Sequence, residues 1–197
     1  KSRAVQGTAA LARWESYIAD LKLDFQGRPA ALWSRLGKDA QMLAAALARR
    51  EGRVTLEVLL NETDFFMRYD AEFGKLEDLT TKRVWELVSA KFVRQVRGKV
   101  YVYLDQANLG PTKSNPKPVP KLATASAEDI AQFEASAGMP ILGLELDELS
   151  SLGQNPNITE VVFVDVRNPS RSSPSWTGAQ IRQFHAQEAG FGPGAKQ

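Results

Sequence analysis

The sequence predicts an α/β fold, with a helical N-terminal lobe beside a small, mainly parallel β-sheet flanked by helices. Two observations predict it. Through the front half, apolar residues recur at three- and four-residue steps, the period of a helix with one buried face. Through the back half, short apolar runs alternate with turn residues and one capped helical stretch, and strands separated by such crossovers pair in parallel. At 197 residues the chain suits one domain, 1–197, with a core that needs no disulfide staples. Within it the helical lobe is expected over about 8–97, the α/β lobe over about 98–189, and a frayed Gly-rich tail over 190–197.

Thr8 can cap a first helix, whose apolar stripe is Leu11, Trp14, Ile18 and Leu21 and which Gly27 and Pro29 bring to an end. Trp14 completes that stripe and is expected in the core. A second helix is expected over about 37–50, rich in Ala and Leu, with Arg49 and Arg50 in its last turn and Gly52 after it. Residues 53–60 alternate like a short strand, with Val54, Leu56, Val58 and Leu60 on one face and Thr55 and Glu57 on the other. A mixed loop and helix follows over 61–74. Thr80 or Thr81 is expected to cap a third helix reaching about Arg97, and 99–104 (KVYVYL) reads as a strand. The stretch 110–121, with four prolines and no aromatic residue, is the clearest loop. Ser126 and Asp129 form a capping box for a helix to about Ser136. Two more strands are expected over 139–146 and 159–166, with a turn at 153–157 between them, then a loop over 168–175 and a terminal helix over 177–189.

Composition narrows the chemistry. Cysteine is absent, so thiol nucleophiles are excluded, and with His185 as the lone histidine neither a histidine-based triad nor a His-rich zinc site is expected. No polyanionic partner follows from the net charge of +2, and a pI near 8.9 does not exclude one. Lys82, Arg83, Lys91, Arg94, Arg97 and Lys99 spread around their helix without interleaved exposed aromatics, which reads as a solvated face rather than a nucleic-acid stripe. No apolar run is long enough for a membrane span, and no charged-then-apolar signal peptide opens the chain.

Four short stretches stand out together: Leu32-Trp33-Ser34-Arg35, Thr55-Leu56-Glu57, Trp85 with Ser89 and Phe92, and Gly143-Leu144-Glu145 with Leu149. In order and approximate spacing they resemble the ADP-ribosyl cyclase family of NAD-cleaving enzymes, over about 32–166. Lys38-Asp39-Ala40 extends the first match. Glu145 stands where the family has its catalytic carboxylate, and Glu57 where it has a second one. The chain departs from the family in having no disulfides, in a shorter segment between Glu57 and Trp85, and in carrying Pro140 and Ile141 where a Thr-Phe pair is expected.

The resemblance implies cleavage of the nicotinamide–ribose bond of NAD, with some cyclic ADP-ribose as a second product. NAD is then the substrate, and no cofactor or metal is called for. Breaking that bond leaves an oxocarbenium-like cation, which a carboxylate beneath the ribose stabilises. On this reading Glu145 and Glu57 are the catalytic pair. Trp33 and Trp85 clamp the pyridinium ring, by stacking and cation–π attraction of roughly 0.5–2 kcal/mol each. Ser34, Arg35 and Ser89 hold phosphate or ribose. A disulfide-free form further suggests the toxin domain of a bacterial secreted effector. It would act in the cytoplasm of a target cell by depleting NAD, and a cognate immunity protein would block its cleft. Nucleic acid and membrane are not expected partners. The alternatives are an ADP-ribosyltransferase acting on a macromolecule, a non-catalytic NAD-binding module, and an interaction domain without a nucleotide site.

Overall fold

The computed structural model describes residues 3–33, 36–105, 155–170 and 176–177. These build a mixed α/β fold of five helices and one sheet: α1 (Arg3–Asp20), β1 (Ala30–Trp33), α2 (Lys38–Arg50), α3 (Leu56–Asn61), α4 (Phe65–Glu72), α5 (Leu79–Gln95), β2 (Gly98–Leu104), β3 (Ile158–Asp165) and β4 (Trp176–Thr177). The sheet order is β1-β2-β3-β4. The first three strands are parallel, and β4 closes antiparallel on β3.

Alternation along the parallel strands divides the core into two layers. Ala30, Leu32, Val100, Val102, Leu104, Val161 and Phe163 face α1 and α5, packing with Trp14, Ile18, Val84, Val88 and Phe92. Ala31, Tyr103, Val162 and Val164 face α2, packing with Ala40, Ala44, Leu47 and Ala48. Both faces of the sheet are therefore covered, as a parallel sheet requires. Each large side chain fully buried in this way contributes roughly 1.5–3 kcal/mol. The expected boundary near 97/98 does not separate helices from sheet, because β1, from the front half, supplies the strand beside β2.

Several expectations are corrected. Residues 53–60 are not a strand. Only Val54 pairs, as an isolated parallel bridge to Ala30. Thr55 then turns the chain, its hydroxyl accepting the Val58 N–H at 3.4 Å as the N-cap of α3. Adjacent Leu59 and Leu60 are buried while Val58 is exposed, a helical and not an alternating pattern. Helix α1 starts ahead of Thr8, which lies inside it, and stops at Asp20 well before Gly27. Asp78, rather than Thr80 or Thr81, caps α5. Its carboxylate accepts the N–H groups of Thr80 (2.8 Å) and Thr81 (2.9 Å), and the Thr81 hydroxyl in return accepts the Asp78 N–H. Trp176 and Thr177 form β4, so Thr177 does not begin a helix. The expected strand over 139–146, the loop over 110–121, the capped helix beginning near Ser126 and the remainder of the terminal helix lie outside the described residues.

Among the described residues no helix is long and apolar enough to cross a membrane, and no group of three or more His, Asp or Glu could hold a metal ion.

Candidate functional site

Parallel strands present their carboxyl ends along one edge, where open α/β sheets hold ligands. Here that edge is formed by Trp33 on β1, Leu104 and then Asp105 on β2, and Asp165 and then Val166 on β3. The register sets Trp33 beside Tyr103, and Leu104 beside Asp165.

Trp33 is half-buried and packs against the layer under α2, in the company of Tyr101 and Tyr103. Its indole N–H donates to the Glu57 carboxylate at 3.3 Å. Glu57 sits in the first turn of α3, where the exposed amide groups of the helix start favour a negative charge. The backbone reason for the meeting is the Val54–Ala30 bridge. The Val54 carbonyl accepts the Ala31 N–H at 2.8 Å, and the Pro29 carbonyl accepts the Val54 N–H at 2.9 Å. This bridge lays the Thr55-Leu56-Glu57 turn alongside β1. Two motifs 24 residues apart in the chain are thereby brought into direct contact.

Trp85 is placed differently. It rides on α5, against the opposite layer of the core, and its ring packs on Phe65 (5.5 Å between centroids), Tyr69 (5.6 Å) and Phe66 (6.1 Å). It also lines an open cleft of about 880 Å³ beside the start of α5, with Tyr69, Lys75, Asp78, Leu79 and Lys82. Neither Trp33 nor Glu57 lines that cleft. The two tryptophans thus pack against different layers of the core, Trp33 on the α2 side and Trp85 on the α1 and α5 side. Ser89 is half-buried one turn further along α5. Ser34, Arg35 and Glu145 lie outside the described residues.

No family model, no curated protein and no solved structure matches this chain.

The carboxyl edge also holds residues that the sequence reading did not single out. The Asp105 side chain is only 1% exposed, and its carboxylate accepts a hydrogen bond from Arg167 Nε at 3.0 Å, on a guanidinium-bearing side chain that is 48% exposed. Asp165 fixes the start of the Arg167 loop by accepting the Arg167 N–H at 3.1 Å. On the α2 face of the sheet, Arg53 lies over the Tyr101 ring, 3.4 Å from its centroid, and donates to the Tyr103 hydroxyl at 3.1 Å. Burial pushes the Tyr103 phenol pKa up, and Arg53 opposes that shift. The signal for Asp105 was present in the sequence. An acidic residue directly after the apolar run KVYVYL has the same form as Glu145 in its own apolar run.

Lys91 corrects the reading of the basic residues as a solvated face. It is 9% exposed, and its ammonium donates to the carbonyls of Ile18 (2.6 Å) and Ala19 (2.7 Å) at the end of α1. Burial holds its pKa below the usual lysine range. Arg83 and Lys99 meet Glu86 and Glu160 instead, as surface ion pairs.

Proposed function

We propose that the chain is an NAD glycohydrolase that cleaves the nicotinamide–ribose bond and releases nicotinamide and ADP-ribose, with some cyclic ADP-ribose. The observation that carries this reading is the contact between Trp33 and Glu57 at the carboxyl edge of a parallel sheet. It joins an aromatic face able to stack on a cationic pyridinium ring to a carboxylate able to accept the amide N–H of nicotinamide. The indole N–H holds that carboxylate in place, and Ser34 and Arg35 follow Trp33 directly in the chain.

In the proposed reaction the C–N bond to nicotinamide breaks and its electron pair leaves with the neutral base. Glu145 stabilises the positive charge left on the ribose. Water then adds to the anomeric carbon and gives up a proton, or a nitrogen of the adenine adds and closes the cyclic product. Glu57, by holding the leaving base, biases that choice.

The test is nicotinamide release by the purified chain beside Trp33→Ala and Glu57→Gln. Loss of one positioning hydrogen bond, worth about 0.5–1.5 kcal/mol, should raise KM for NAD roughly three- to tenfold in Glu57→Gln, with a changed ratio of cyclic to linear product. Wild-type kinetics and product ratio in both variants would contradict the assignment.

The position of Trp85 favours a second reading, a non-catalytic NAD-binding module, since one of the two expected ring contacts is engaged with Phe65, Phe66 and Tyr69. It requires that NAD raises the melting temperature while its concentration stays constant. Consumption of NAD would exclude it.

A further inference from the structure

We infer that Arg167, seated on the buried carboxylate of Asp105, is an anion contact for the pyrophosphate of the dinucleotide, an assignment that rests on the glycohydrolase reading above.

Three features of the carboxyl edge carry it. First, among the described residues the guanidinium is anchored through Nε. Nε donates to Asp105 at 3.0 Å, and among the described residues neither Nη group has a partner. A guanidinium held through Nε keeps its outer pair of N–H donors in a fixed plane, the geometry suited to two phosphate oxygens. Second, the backbone beneath it is held. The Arg167 N–H donates to Asp165, the Asn168 N–H donates to the Asp165 carbonyl at 3.1 Å, and the Ser170 hydroxyl donates to Asn168 at 2.9 Å. The Asp165 carboxylate is therefore engaged with its own loop. Third, the burial is lopsided. A carboxylate that is 1% exposed beneath an arginine that is 48% exposed is more than a surface ion pair needs, since two exposed partners would do. It fits a support that fixes a solvent-facing cation.

The spacing fits a dinucleotide laid across the strand ends. Neighbouring strands are ~4.8 Å apart, so β3 lies about 10 Å across from β1. A base at Trp33 then leaves the diphosphate over β2 and β3, within reach of Arg167. A long guanidinium-bearing side chain there meets the anionic part of the ligand, while Trp33 and Glu57 meet the base.

Titration of ADP-ribose and, separately, inorganic pyrophosphate into the full chain tests this, with wild type beside Arg167→Gln and Arg167→Lys and NAD kinetics run on the same proteins. The expected result is a Kd for ADP-ribose raised about tenfold in Arg167→Gln, partly recovered in Arg167→Lys, with KM for NAD rising in step and kcat within about twofold. Weaker pyrophosphate binding in Arg167→Gln supports the same assignment without reference to cleavage. Unchanged Kd values in a variant with wild-type melting would overturn it. A wild type that releases no nicotinamide, yet binds pyrophosphate through Arg167, removes the glycohydrolase reading and leaves the anion site standing.

Discussion

Tyr17 shows how one half-buried polar contact makes the stability of this fold depend on pH. Its hydroxyl donates to Asp64 at 2.6 Å, and the Arg68 guanidinium meets the same carboxylate while lying over the Tyr17 ring. Burial first, and the bond to Asp64 second, push the phenol pKa up to about 12. A group whose folded pKa is raised contributes stability that is whole below its unfolded pKa of about 10 and is lost as pH rises through the folded value. The stability gap between wild type and Tyr17→Phe, read by urea unfolding, should therefore be flat from pH 7 to 9 and close toward pH 12. A gap that stays constant to pH 12 would contradict the assignment. At the same scale Lys91 carries a warning about helical patterns. A lysine in an amphipathic helix looks solvated in sequence, but the end of α1 leaves carbonyls that need donors, and Lys91 supplies them.

The elements hold together through caps that short-range chemistry explains. Asn155 is the clearest case. It is buried, and its amide donates to the carbonyls of Val93 (2.8 Å), Arg94 (3.3 Å) and Val96 (2.8 Å), tying the end of α5 to the turn that starts β3. Asn155→Ala strips partners from these carbonyls and should cost about 1–3 kcal/mol in chemical unfolding. A cost below about 0.5 kcal/mol would show that the bonds are replaceable by water. Asp78→Ala at the start of α5 should cost about 1 kcal/mol in the same measurement. The helical stripes of α1, α2 and α5 and the apolar runs of β2 and β3 were legible in the sequence, because burial on one or both faces dictates their composition. Residues 53–60 were not. An alternating apolar pattern supports either a strand or a short helix, and what decided here was Thr55 turning the chain after a single bridge residue. β1 was equally hard to see. Four residues leave no period to read, and its pairing with β2 is a long-range contact.

Over the whole molecule, the topology gathers Trp33, Asp105 and Arg167 at the carboxyl ends of three adjacent strands, with Glu57 reaching Trp33 from the turn beside β1. Part of this site was legible. Trp33 and Glu57 were picked out by motif, and the structure joins them, although on a helix start and not on the strand that the alternation suggested. Arg167 was missed because it is ordinary in sequence; Asp105 directly follows an apolar run, a signal the sequence does carry, but its contact with Arg167 arises only when β2 and β3 pair. Trp85 was picked out by motif too, but the aromatic residues of α4 engage its ring, something no local pattern announces. The proposed chemistry concentrates in Glu145, whose carboxylate is assigned to the cation formed when nicotinamide leaves. The most direct measurement is nicotinamide release from NAD by the purified chain, wild type beside Glu145→Gln. Release by wild type and a loss of roughly a hundredfold or more in the variant are expected. Equal rates in the two proteins, or no release above background by wild type, would contradict the proposed chemistry.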